Sequence, residues 1–233
     1  MRTYAIAWLF ITVMTVSSVA ADHGPSTWTQ VAPSVVNVLP TWPGHARPGF
    51  GAPIGQAPAG SGFFYAPDAQ LTAYVLTAAH VIAEATRVEI VTADGSRVDA
   101  EIIEVDSMTD LALLEVPLQR KGLRLLDTVA LPGTHVCAFG HPFGLPLSMS
   151  CGVISGEVRS NIGFNAVESF LQTDAAVNPG VSGGALVNAN GDLVGMISAI
   201  FTKDADIDAG VNFAVSNQLL RQWSAKFLKS AAP

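Results

Sequence analysis

Charge is what this sequence has least of. Only 13% of its 233 residues are charged, against 49% that are hydrophobic. That excludes an intrinsically disordered chain, which combines high charge with too little apolar surface to bury. The scarcer sign is positive, with 12 lysines and arginines facing 19 acidic side chains for a formal net charge of −7. Nucleic acid and anionic membrane surfaces are therefore not expected partners, because an acidic protein is repelled by both. The five histidines show neither an HExxH pattern nor paired spacing, so no metal site is expected. Beyond the first segment, no stretch has the length and uniform apolarity of a transmembrane helix, which predicts a soluble domain.

That first segment, "MRTYAIAWLFITVMTVSSVAADHG", has one basic residue, an apolar run from Ala5 to Val16, and small residues from Ser17 to Ala21. This is the layout of a secretory signal peptide over residues 1–21, cleaved near Ala21 or Ala20, with an uncleaved anchor as the alternative. Either way the remainder, 22–233, is expected outside the cytoplasm, periplasmic or secreted. Loss of Arg2 would leave 11 basic side chains against 19 acidic ones, a formal charge of −8. Cysteine is down to two residues, Cys137 and Cys151, in the strand-like runs "THVCAFG" and "SMSCGVIS". In an oxidising compartment they could be bonded, which over a loop of this size is worth about 3 kcal/mol if unstrained, or they could be two buried thiols.

Short apolar runs broken by turns fill the rest. Val35 to Leu39 reads as a strand, and residues 40–60, dense in proline and glycine, read as a long loop. In it Trp42 and Phe50 are candidates either for contacts to a partner subunit or for folding back on the domain. The runs "GFFYA", "YVLTAAHVI", "RVEIVTADGSRVDAEIIEVD" and "LALLEVP" form one set of strands. A second set follows in "HVCAFG", "MSCGVISGEV", "SFLQTDAA", "GALVNANGDLVGMISAI" and "GVNFAVS". "ADGS" and "NANGD" are hairpin turns within them. Ser216 is placed to cap a final amphipathic helix over 217–229, with Leu219, Leu220, Trp223 and Phe227 on one face. Many strands and one terminal helix predict an all-β barrel or sandwich.

Within "NPGVSGGAL", Ser182 stands among glycines, either as a polar residue in a turn or as a nucleophile that needs a base. Among the histidines His80 stands out, because "YVLTAAHVI" puts it at the end of a buried apolar strand where a polar side chain must find a partner. Asp110 heads the next apolar run in "SMTDLALLEV", as an orienting carboxylate or an ordinary strand cap. The order His, Asp, Ser, each at a strand edge, is the chymotrypsin-like order of the triad rather than that of subtilisin or the α/β-hydrolases.

Together "GSGFFY", "VLTAAHVI", "TDLALLEV", "FGHPFGLPLSMSCGVISG", "QTDAAVNPGVSGGALVNANGDLVGMISAI" and "GVNFAVS" resemble the protease domain of the HtrA (Deg) family of trypsin-like serine proteases, over about Val31 to Asn217. The resemblance implies an all-β, chymotrypsin-like double six-stranded β-barrel with a C-terminal helix. The first barrel would span about 31–118 and the second about 128–216. It implies His80 as general base, Asp110 as its orienter and Ser182 as nucleophile. Backbone N–H groups of the Gly180, Val181, Ser182 segment would form the oxyanion hole, and Val177, Ile200 and Val211 the substrate pocket. All three pocket positions are aliphatic, so small or medium aliphatic residues are expected before the cut bond. It also implies unfolded or misfolded proteins as substrates, no cofactor and a homotrimer.

Two departures from the family pattern stand out. Val181 occupies a position where the family usually has asparagine, and no PDZ domain follows the protease domain within 22–233. They motivate a rival reading, a latent protease fold that binds clients as a holdase-like chaperone. "DADIDAG", from Asp204 to Gly210, alternates acids as a calcium loop does. Its glycine comes one position late and Val215 stands where the bidentate Glu belongs, so it reads as a solvated acidic loop.

Overall fold

The β-branched and aromatic runs of the first half close on themselves. In this computed structural model, which describes residues 23–54, 57–200 and 210–227, β1 (Val35–Thr41), β2 (Gly60–Phe64), β3 (Leu71–Ala78), β4 (Arg87–Val91), β5 (Arg97–Asp106) and β6 (Leu111–Lys121) form a closed barrel. Its strand order is β1-β2-β3-β6-β5-β4. The register of β3 against β6 sets Ala78 opposite Leu111, which brings the end of the one strand beside the start of the other.

A second six-stranded sheet holds β7 (His135–Gly140), β8 (Ser148–Val153), β9 (Phe170–Thr173), β10 (Ala185–Asn188), β11 (Leu193–Ile200) and β12 (Asn212–Ser216). Its order is β8-β7-β10-β11-β12-β9. Its two edges meet at one end, where Ile154 bridges Thr173 and Ser155 N–H donates to Gln172 O at 2.8 Å. The molecule is thus mostly β, with two six-stranded sheets curled as barrels. One apolar core runs through both, from Phe63, Leu76, Ile90 and Leu113 to Phe139, Phe170, Met196 and Phe213. Each such fully buried side chain is worth about 1.5–3 kcal/mol relative to exposure.

The terminal helix α3 (Asn217–Phe227) buries Leu219, Leu220 and Trp223. Ser216 Oγ accepts the Leu219 N–H at 3.3 Å, the expected cap. The helix also reaches back to the first barrel, since Trp223 Nε1 donates to Asp106 Oδ2 at 2.9 Å and Ser224 Oγ pairs with Tyr65 Oη at 2.9 Å. Residues 228–229 of the expected helix, the signal segment and the acidic run at 204–209 lie outside the described residues. Among those described, no helix is long and apolar enough to cross a membrane.

The helix α1 (His23–Val31) has no counterpart in the sequence expectations. Its sequence, HGPSTWTQV, lacks a continuous apolar face, and the helix is held by a tertiary contact in which Thr27 Oγ1 donates to Ala189 O at 3.0 Å. The two aromatic residues of the long loop part company. Trp42 folds back and donates Nε1 to Ala83 O at 3.0 Å, whereas Phe50 remains 51% exposed under the Arg47 guanidinium. Cys137 and Cys151 face each other across β7 and β8 and are joined in a disulfide. They form, with His135, the cluster of potential metal-ligand atoms found among the described residues, and the bond between the two sulfurs leaves no thiolate to bind an ion.

Candidate active site

The apolar run carrying His80 leaves the sheet just before the histidine. β3 ends at Ala78, and His80 lies in α2 (Ala79–Ile82), a single helical turn, rather than on the strand itself. Asp110 explains the turn. Its carbonyl accepts the Ala79 N–H at 3.1 Å and its Oδ1 accepts the His80 N–H at 3.0 Å, so the opening N–H groups of the turn are satisfied from the neighbouring strand. Asp110 adopts φ +60°, in the left-handed region. The same carboxylate reaches the ring, with His80 Nδ1 2.9 Å from Oδ2 and 3.0 Å from Oδ1. A ring that donates Nδ1–H to the carboxylate keeps a lone pair on Nε2. The His80 side chain is 42% exposed and that of Asp110 only 9%. Burial alone would raise the Asp110 pKa. Hydrogen bonds from the His80 ring, the imidazolium charge, the Ser198 hydroxyl and the His80 N–H outweigh it and hold the carboxyl below its ordinary range.

Ser182 is half-buried in the turn between β9 and β10. The hydrogen bonds of this turn determine which of its N–H groups are free. Val181 N–H donates to Asn178 O at 3.0 Å and Gly183 N–H to Ile197 O at 2.7 Å. Among the described residues neither the Gly180 nor the Ser182 N–H has an acceptor. Of the three residues expected to form an oxyanion hole, Gly180 and Ser182 therefore retain open donors, while that of Val181 is used inside the turn. Val181 is buried and belongs to the same apolar cluster as Val136, Ala138 and Leu186, which accounts physically for an apolar residue here. Gly183 has φ +82°, and a Cβ there would lie 2.2 Å from Ser61 O and 2.8 Å from Ala78 N. The serine turn thus presses directly on the strand end that leads to His80. No hydrogen bond links Ser182 Oγ to the His80 ring among the described residues; such contacts are often looser without substrate.

The chain matches the trypsin-like peptidase domain over residues 60–196. The chain belongs to the HtrA family of trypsin-like peptidases. It is 35% identical over 159 residues to the periplasmic serine endoprotease DegP of Escherichia coli K12, covering 67% of this chain and 33% of that protein. It is 38% identical over 151 residues to the periplasmic pH-dependent serine endoprotease DegQ of the same organism, covering 64% and 33%. The chain spans about a third of the length of these curated relatives. Among solved structures it resembles the HtrA-type protease AlgW with a tripeptide, at TM-score 0.75 and 31% identity over 88% of this chain and 64% of that one. It also resembles a serine endoprotease from Yersinia pestis, at 0.70 and 29% over 88% and 66%.

Within this HtrA-type fold, Val177 is buried and Val211 half-buried. Ile200 is the last residue of β11, in register with Asn212. Asn212 Nδ2 donates to Ala175 O at 2.9 Å, which draws the start of β12 against the segment leading to Val177. Three polar residues around the site went unread in the sequence. Ser198 donates Oγ to Asp110 Oδ2 at 2.6 Å; its only signal was a hydroxyl inside the apolar run "LVGMISAI". Ser61 and His141 are buried beside the Ser182 turn, and nothing in their local sequence marks that position. The loop at 160–168 stands behind Asp110, with Val167 N–H donating to Met108 O at 2.9 Å. Its shape is held by Glu168, whose carboxylate accepts the N–H groups of Ile162, Gly163, Phe164 and Asn165.

Proposed function

We propose that this chain is an exported serine endopeptidase acting on unfolded or misfolded proteins through an acyl-enzyme. The observation that carries the reading is a carboxylate-bound imidazole beside a serine turn with two open N–H groups. His80 Nε2 takes the Ser182 Oγ proton as the oxygen attacks the scissile carbonyl, and Asp110 stabilises the imidazolium that forms. The N–H groups of Gly180 and Ser182 receive the developing oxyanion, at about 3–4 kcal/mol per donor in comparable sites. His80 returns the proton to the leaving amine, and water, activated in the same way, releases the acyl group. This chemistry needs no cofactor, because nucleophile, base and charge stabilisation all come from the chain.

The aliphatic residues Val177, Ile200 and Val211 favour Val, Ala or Leu before the cut bond, since a lysine or arginine there would be buried unpaired. The periplasmic relatives and the signal-like residues 1–21 support a place outside the cytoplasm. A homotrimer is the assembly proposed with this reading. A fluorophosphonate probe tests the core of it: the folded protein should be labelled on Ser182 alone, and Ser182→Ala should abolish casein cleavage without shifting the melting temperature. A folded protein that takes no label, or whose casein cleavage survives the substitution, overturns the reading.

A further inference from the structure

Four peptide planes run through the serine turn, and hydrogen bonds hold them unequally. In the plane joining Pro179 to Gly180, the carbonyl accepts the Phe143 N–H at 2.7 Å and the Gly180 N–H is open. In the plane joining Val181 to Ser182, the carbonyl accepts the Gly184 N–H at 2.8 Å and the Ser182 N–H is open. The two alternating planes are held at both ends. Gly180 O accepts Ser61 Oγ at 2.7 Å while Val181 N–H is held by Asn178. Ser182 O accepts Ser61 N–H at 2.9 Å while Gly183 N–H is held by Ile197. One residue of the first barrel therefore supplies one end of both fixed planes.

Ser61 is suited to this, being wholly buried. Its hydroxyl accepts the His141 N–H at 2.9 Å while donating to Gly180 O, so its single proton is directed at the turn. Its own carbonyl accepts Thr77 Oγ1 at 2.7 Å, which ties it to the strand leading to His80. Gly180, at φ +97°, has no Cβ to resist rotation, so its peptide orientation depends on such external holds.

We propose that the Ser61 hydroxyl is a positioning residue for the oxyanion donors, locking the Gly180–Val181 peptide in the orientation that leaves the Gly180 and Ser182 N–H groups open. The proposal rests on the reading of Ser182 as nucleophile. Its consequence is that the first barrel contributes both the base and the clamp that shapes the hole.

The test uses the full chain with Ser61→Ala and Ser61→Cys, the latter keeping a weak donor of similar shape. A fluorophosphonate titration counts active sites, and kcat and KM for an aliphatic peptide substrate are expressed per titrated site. For Ser61→Ala, kcat per site should fall about 10- to 100-fold with KM unchanged, within what loss of one oxyanion donor costs. Affinity for a peptide boronate, whose tetrahedral adduct occupies the hole, should fall in parallel, and Ser61→Cys should lie between. Ser34→Ala is the control. It removes another buried hydroxyl bond near the first barrel, to Lys121 O at 2.8 Å, and should lower the melting temperature with kcat per site unchanged. Full kcat per site in Ser61→Ala, or in Ser61→Cys where the alanine variant does not fold, overturns the proposal. Absence of label on Ser182 in the unsubstituted protein overturns the nucleophile reading itself, and that failure appears before any Ser61 variant is made.

Discussion

Ser198 Oγ lies 2.6 Å from Asp110 Oδ2, so the carboxylate that holds His80 from the first barrel is itself held from the second. A hydrogen bond to a buried charged group is worth about 1.5–3 kcal/mol. Ser198→Ala should lower stability by about 1–3 kcal/mol and kcat by roughly tenfold, because Asp110 keeps its bonds to His80 but loses a restraint on its orientation. Asp110→Asn should cost far more, about 10⁴ in kcat, since an amide facing Nδ1 favours the wrong tautomer. Chemical denaturation and steady-state kinetics on the two variants check both numbers. Equal losses for the two would contradict this ranking.

His141 should make the protein less stable in mild acid. Its ring is buried with Nδ1 unpartnered among the described residues, and burial pushes its pKa down to about 4. An unfolded chain binds that proton near pH 6.5, so between about 6.5 and 4 the unfolded state holds more protons than the folded one. The contribution of His141 is therefore complete above pH 6.5 and drains away as pH falls, by at most about 1.4 kcal/mol per pH unit. Urea midpoints measured from pH 7 to 4.5 should fall more steeply in the wild type than in His141→Asn, and identical slopes would refute the assignment.

How legible this was depended on whether a residue's role is written locally. The strands were visible because alternation and β-branched runs announce themselves, and the hairpin turns at "ADGS" and "NANGD" supplied the pairing. His80, Asp110 and Ser182 stand out in the sequence as candidates because each is a polar residue interrupting an apolar or glycine-rich run. The roles of Ser61, His141 and Ser198 arise only when the two barrels are brought together, and a serine or histidine carries no mark of a neighbour far away in the chain. The helix α1 was missed for the same reason, since Thr27 is secured by a carbonyl on the opposite side of the sequence. Cys137 and Cys151 lay in readable strands, but the register that sets them opposite one another belongs to the sheet.

That disulfide should contribute measurably to stability. Loop closure over 14 residues corresponds to about 3 kcal/mol on the entropic account. The pair Cys137→Ser and Cys151→Ser, or reductant applied to the wild type, should lower the guanidinium midpoint accordingly. Reductant should leave the midpoint of the double variant where it is. A wild type indifferent to reductant would show that the bond adds nothing to the paired strands.

Gly183 should be irreplaceable for a reason that a second glycine can isolate. At Gly183 φ is +82°, and a Cβ would meet Ser61 O at 2.2 Å, Thr77 Oγ1 at 2.5 Å and Ala78 N at 2.8 Å. At Gly133 φ is +85°, yet a Cβ would meet nothing within 4 Å. Alanine at Gly133 should therefore cost only the strain of a left-handed conformation, about 1–2 kcal/mol. Alanine at Gly183 carries the same strain and must also push the serine turn away from backbone atoms of β2 and β3, which do not yield as side-chain ends do. We expect Gly183→Ala to lose about 2–5 kcal/mol, the range of overpacking added to strain, and to lose probe labelling at Ser182 even where it folds. Gly133→Ala should keep full labelling. Equal destabilisation by the two would mean that backbone strain alone matters, and that the contact between the serine turn and the strand leading to His80 is not what fixes the site.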